Sequence, residues 1–230
     1  MQYRERFPGR HTVFPVIHVV TDEQATRNAQ VAHDAGADGV FLINHGLSGE
    51  YLLEIHSKVA EAHPDWWIGV NCLGWQPARV FRSISKQVAG VWADNADIDE
   101  YKIKQTQPEH TLLVRSIHHP ECLYFGGVAF KYQPEVDNLE RACRIALRYM
   151  DVVTTSGPGT GESADLGKIS RMRSALGDAP LAIASGITPG NVVGYLPYAD
   201  SFLVATGISE SFTDFDPVLV RKLIERVRSF

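Results

Sequence analysis

Short apolar runs alternate with amphipathic segments from one end of the chain to the other. The runs predict strands at 14–20, 39–43, 67–72, 88–93, 123–131, 151–155, 181–185 and 201–205. Helices are predicted between them at 24–35, 50–62, 137–149, 165–176, 189–196 and 216–227. The first of these ends at Gly36, a C-terminal stop signal. The second carries Leu52, Leu53, Ile55, Val59 and Ala60 on one stripe and stops before Pro64. Pro189 and Pro217 sit where a first-turn proline is tolerated.

Strands recurring with helices between them are the signature of βα units around a parallel sheet. Eight such strands in 230 residues predict one domain, residues 1–230, folded as a single (β/α)8 TIM barrel. The rival, an open doubly wound sheet, usually carries a glycine-rich fingerprint after its first strand. Here the first strand runs into Thr21-Asp22-Glu23. The stretch 98–120 is too long for a simple crossover; it is expected to form an irregular excursion over one barrel end, with an extra strand at 111–117.

Composition narrows the function classes. A net charge of −5 gives no electrostatic reason to expect nucleic acid as a partner. No apolar run approaches the roughly 18 residues of a membrane span, and no secretory leader is evident in the first ten residues. Cys72, Cys122 and Cys143 lie far apart without a CxxC pair, which speaks against a disulfide framework and against a metal site. The expectation is a soluble, cytoplasmic protein that needs no cofactor; a homo-oligomer is compatible with this composition.

The glycines cluster late. Strand seven runs into Ser185-Gly186-Ile187-Thr188-Pro189-Gly190-Asn191, and strand eight into Ala205-Thr206-Gly207-Ile208-Ser209. In many barrels these two loops hold a phosphate, because glycine lets backbone N–H groups approach an anion closely. Gly186 and Gly207 are the candidate backbone donors, with Thr188 and Ser209 adding hydroxyls; plain turn glycines are the alternative. After strand six, Ser156-Gly157-Pro158-Gly159-Thr160-Gly161-Glu162 reads as a mobile polar loop that closes over a ligand, or as simple slack. Ser156, Gly157, Gly159 and Thr160 are its candidate ligand contacts.

Catalytic side chains of a barrel come from the C-terminal ends of its strands. Period 2 along strand five puts Gly127, Ala129 and Lys131 on the interior face, with Lys131 at the mouth. There Lys131 is a desolvated base or Schiff-base nucleophile, a partner for a phosphate or carboxylate, or a solvated lysine past the strand. Asp94, ending strand four, is the best placed carboxylate for acid–base work. Asn44, Asn71 and Asn95 are candidates for orienting substrate hydroxyls, though strand-end Asn residues often only cap turns. His18 reads as a hydrogen-bonded core histidine.

The run from Thr155-Ser156-Gly157-Pro158-Gly159-Thr160-Gly161-Glu162 through Asp165-Leu166, Gly186-Ile187-Thr188-Pro189-Gly190-Asn191-Val192, Tyr195-Leu196-Pro197 and Ala199-Asp200 to Thr206-Gly207 resembles the BtpA family. These are barrel proteins named for a role in photosystem I biogenesis and grouped with the ribulose-phosphate-binding barrels. Gly36-Ala37-Asp38-Gly39, Gly69-Val70-Asn71 and Lys131 extend the resemblance upstream, whereas Ala93-Asp94-Asn95 and 98–120 depart from the family pattern. The resemblance implies the barrel and its phosphate site. The resulting expectation is an enzyme of lyase or isomerase type acting on a small phosphorylated metabolite, such as a sugar or ribosyl phosphate. The alternative is a non-catalytic assembly or regulatory factor of the BtpA type.

Overall fold

The computed structural model describes residues 2–9 and 11–230. Eight strands close into one parallel barrel in sequence order: β1 Thr12–Val19, β2 Gly39–Asn44, β3 Trp67–Asn71, β4 Gly90–Ala93, β5 Leu123–Gly127, β6 Val152–Thr155, β7 Leu181–Ile183 and β8 Ser201–Val204. Closure is made by β1 against β8, with Thr12 opposite Ser201 and Pro15 opposite Val204. A short helix, α1 (Gln2–Arg6), precedes the barrel. The outer layer consists of α2 (Asp22–Asp34), α3 (Gly49–Ala62), α4 (Pro77–Ser83), α5 (Thr106–His118), α6 (Leu139–Ala146), α7 (Leu166–Leu176) and α8 (Pro217–Arg228). The chain is a (β/α)8 TIM barrel. No helix among the described residues is long and apolar enough to cross a membrane.

Local chemistry sets the helix starts. Thr21, Ser48, Asn138, Asp165 and Asp216 each accept a backbone N–H in the first turn of the helix that follows, satisfying a donor with no intrahelical partner. Strand parity sets the two cores. Val13, Ile17 and Val19 face the helices, while Phe14 and Val16 face the barrel axis. The axis is filled at its N-terminal end by Tyr3, Phe7, Phe14, Phe41, Trp67 and Phe125, packed edge to face or tilted. Phe41 and Phe125 lie 5.2 Å apart between ring centroids, and Phe14 and Trp67 lie 4.6 Å apart. This aromatic plug shuts the bottom of the barrel and leaves only the C-terminal mouth open to a ligand.

Three expectations need correction. The segment 111–117 belongs to helix α5, whose buried positions Thr111, Val114 and Arg115 follow a helical spacing, while Leu112, Leu113 and Ile117 point outward. Its apolar residues resemble a strand only because the exposed face is also apolar. The excursion at 98–120 is therefore a turn-rich stretch followed by an ordinary barrel helix. In place of a helix at 189–196 there is one 3₁₀ turn, Val192–Gly194, between Gly190 and Pro197. Helix α4 is an element that the sequence pattern left unread.

Candidate functional site

The mouth of the barrel holds a cavity of about 200 Å³. Its wall brings together His18, His45, Asp94 and Lys131 over an apolar base that includes Val16, Ile43, Trp92 and Leu203. Thr160, Gly161, Ser185 and Thr206 form the opposite, hydroxyl-bearing rim.

Asp94 follows Trp92 on the inward parity of β4. Asn71 donates to its Oδ1 at 2.9 Å. Burial pushes the Asp94 carboxyl above the usual carboxylate range, while Asn71 and the positive charge of Lys131 pull it back down. Asn71 thus orients an acid and does not itself line the cavity. Lys131 lines the cavity but reaches it by another route than strand parity. The strand ends at Gly127, and the backbone turns through Ala129 at φ 48°. That turn is held by Thr155 and Lys168, which both donate to the Ala129 carbonyl, and by Ser156 Oγ, which accepts the Lys131 N–H at 2.7 Å. The Lys131 ammonium then reaches Thr160 Oγ1 at 3.3 Å.

His18 is buried and hydrogen-bonded, and its ring also lines the wall of the mouth. Its Nδ1 lies 2.9 Å from the Phe212 carbonyl, and its ring stands 4.6 Å from that of His45 and 4.3 Å from that of Phe212. Burial, then the neighbouring His45, lowers its pKa to about 4, and Lys131 adds to the shift. Burial and Lys131 lower His45 as well. Both histidines were legible in the sequence. Phe14, Val16 and His18 share one parity, as do Phe41, Ile43 and His45, and period 2 applied beyond strand five places both at the mouth.

The remaining candidates divide by what holds them. Asn44 spends its amide on the loops, donating to Leu47 and accepting from Leu73 N–H at 2.7 Å each. Asn95 closes a turn by accepting the Asp97 N–H, outside the mouth. Thr188 Oγ1 accepts from Gly190 and Asn191, and Ser209 Oγ donates to the Ala205 carbonyl. These four shape loops. Gly186 and Gly207 permit close backbone approach: a Cβ on Gly186 would lie 2.3 Å from the Glu162 carbonyl, and one on Gly207 only 1.9 Å from the Ile187 carbonyl. Among the described residues neither of their amides has a protein acceptor.

The loop 156–162 is tied into the wall of the mouth at its two ends. Ser156 is fully buried, the Gly157 N–H donates to Ser185 Oγ, and a Cβ on Gly157 would strike the Glu162 carbonyl. Lys168 donates to the Ser156 carbonyl, Ser185 Oγ to the Glu162 carbonyl, and Ser163 Oγ to the Gly186 carbonyl. Gly161 holds φ 78°. Pro158, Thr160, Gly161 and Glu162 are exposed, and of these Thr160 and Gly161 line the cavity. Cross-links between three successive loops, which sequence spacing does not reveal, tie a glycine-rich segment into the rim.

No family model matches the chain. An uncharacterized protein of Pyrococcus furiosus is 25% identical over 226 residues, covering 90% of this chain and 85% of that protein. Among solved structures, phosphoribosyl anthranilate isomerase from Thermus thermophilus matches with a TM-score of 0.66 at 16% identity, covering 95% of this chain and 98% of the other. (S)-3-O-geranylgeranylglyceryl phosphate synthase from Thermoplasma acidophilum, solved with its substrate sn-glycerol-1-phosphate, matches at 0.68 and 14% identity, covering 100% and 97%. At such identities the likeness carries the fold.

Proposed function

We propose that this barrel is an enzyme of isomerase or lyase type acting on a small phosphorylated metabolite bound at its mouth. The observation that carries this reading is the division of the mouth into two halves. One half, from the loops after β6, β7 and β8, offers the hydroxyls of Thr160, Ser185 and Thr206 on the cavity wall, with the unbonded amides of Gly186 and Gly207 next in the chain to Ser185 and Thr206. The other half, from β1, β2, β4 and β5, offers titratable side chains. Anchoring a phosphate on the first half places the rest of a small molecule against the second. There Lys131 neutralises developing negative charge and Asp94, raised by burial, exchanges protons. The phosphorylated compounds named for two of the structural neighbours support the phosphate part of this reading.

The rival reading, a non-catalytic factor of the BtpA type, rests on the sequence resemblance over the same loops. It asks for the barrel without requiring the His, Asp and Lys side chains in one cavity. Titrating the labelled protein with inorganic phosphate and following its amide resonances tests the anion site. Shifts centred on Gly186 and Gly207 are expected, and shifts scattered elsewhere overturn it. A thermal-shift panel of sugar phosphates then separates the readings, since an enzyme responds to one compound class and a scaffold gives a flat response.

A further inference from the structure

The β8–α8 loop is stapled to helix α2 by buried amides. Gln24 and Asn28 both donate to the Thr213 carbonyl, Asn28 Oδ1 accepts the Phe215 N–H, and Arg27 pairs with Asp214 at 2.6 Å. The loop folds as a tight hairpin, with Glu210 N–H on the Asp214 carbonyl and Ser209 bridged to Phe215. Its tip delivers one group to the barrel mouth, the Phe212 carbonyl, at 2.9 Å from His18 Nδ1. A carbonyl only accepts, so this nitrogen carries the proton, and in a neutral imidazole the proton on Nδ1 leaves a lone pair on Nε2. That Nε2 has no protein partner and is not sealed from solvent, while the ring belongs to the cavity wall. The same cavity wall carries Asp94 and Lys131, and Lys131 acts through space on both His18 and Asp94. A lone pair on a cavity-facing imidazole nitrogen is suited to accepting a proton from a bound molecule.

We infer that His18 Nε2 is the catalytic proton acceptor of this site, acting on a C–H bond next to the carbonyl of a phosphorylated substrate. The inference rests on the reading of the mouth as a phosphate-anchored active site. In the step, the C–H proton moves to Nε2 and its bonding pair forms the C=C bond of an enediol or enol. The carbonyl π pair moves to oxygen, which takes a proton from neutral Asp94 or is balanced as an oxyanion by the Lys131 ammonium. From the enediol, the His18 proton returns to the former carbonyl carbon. The hydroxyl on the first carbon gives its proton to the Asp94 carboxylate, or to the oxyanion, and becomes the new carbonyl, which completes an isomerisation. The hairpin pinned by Gln24 and Asn28 keeps the acceptor nitrogen aimed at the substrate, as second partners of catalytic histidines do elsewhere.

The test is nitrogen-detected NMR of the histidines in the full chain, alone, with inorganic phosphate and with 2-phosphoglycolate, a planar carboxylate mimic of an enediolate. The charged and titratable groups facing His18 are His45, Lys131 and, in the same cavity, Asp94. The inference expects His18 to show the Nδ1–H tautomer when unliganded. It also expects its titration midpoint to rise by about 1–3 units with 2-phosphoglycolate, the span for a carboxylate brought to a histidine, and to stay put with inorganic phosphate. H18Q should bind inorganic phosphate within twofold of the unaltered chain but lose most of its extra affinity for 2-phosphoglycolate. An Nε2–H tautomer, an unmoved midpoint with 2-phosphoglycolate bound, or equal 2-phosphoglycolate affinity in H18Q overturns it while leaving the anion site standing. Absence of phosphate binding to the unaltered chain removes the active-site reading and this inference with it.

Discussion

The two ends of the barrel are built on the same eight strands yet obey opposite rules. At the bottom, inward positions hold aromatic rings that touch one another, and the few polar groups there, Tyr3, Thr12 and Ser201, are hydrogen-bonded to each other, so the end is sealed by packing. At the top, the same parity presents His18, His45 and Asp94, and the neighbouring loops present the hydroxyls of Thr160, Ser185 and Thr206. The bottom contributes stability and no chemistry. The top holds titratable groups partly withdrawn from solvent, from the buried His18 to the exposed His45. The proposed function is placed where the strands stop being hydrophobic.

The largest expected effect falls at the bottom. Phe125→Ala removes a fully buried ring that touches Tyr3, Phe14, Phe41 and Trp67. It should lower unfolding stability in urea by about 3–5 kcal/mol, while phosphate affinity of the folded fraction stays within twofold. A matching loss of affinity would mean the two ends are not independent.

Acid should separate the regions next. His18 at the mouth and His56, whose Nε2 meets the Ile68 carbonyl beneath α3, are both lowered to about 4 by burial. The unfolded chain binds these protons from about pH 6.5 downward, whereas the folded chain resists until about pH 4. Stability is thus fully present above pH 6.5 and falls as the pH drops through that window, by up to about 1.4 kcal/mol per pH unit for each imidazole. Urea midpoints measured between pH 7 and 4.5 check this. Replacing His56 with Phe should flatten the slope without touching ligand binding, and an unchanged slope would mean that His56 is already protonated in the folded chain.

Gly207→Ala tests the phosphate half. Its new Cβ would lie 1.9 Å from the Ile187 carbonyl, so the two loops must separate, with an expected cost of about 1–3 kcal/mol. Phosphate affinity measured by calorimetry should fall at least tenfold. Full affinity with lowered stability would reduce the glycine to a packing role.

The smallest effect is expected at Asn95, whose side chain only closes an exposed turn outside the mouth. Asn95→Ala should change stability by no more than about 0.5 kcal/mol and leave ligand binding unaltered. A strong loss of binding would redraw the boundary of the site.

Most of the frame can be read along the chain, and the misreadings have local causes. The apolar exposed face of α5 disguises a helix as a strand, and the glycines of 156–162 suggest a ligand-closing loop because their cross-links to Ser185, Lys168 and Gly186 come from outside the segment. Asn44 and Asn95 were candidate ligands by position, yet each is consumed by a turn. The apolar strand around His18 signals burial, and its parity with Phe14 and Val16 adds that it faces inward at the mouth.

The sequence alone determined the repeat of strand and helix, hence the barrel, since side-chain period and helix caps act within a few residues of themselves. It also determined which residue types reach the C-terminal ends of the strands. Only the tertiary structure decided which of them share one cavity, which nitrogen of His18 carries the proton, and that a glycine-rich loop is cross-linked into the rim. Those properties depend on partners such as Phe212, Ser185 and Lys168 that lie tens to nearly two hundred residues away in the chain. Closure of the barrel brings them together, and no local pattern encodes the contact.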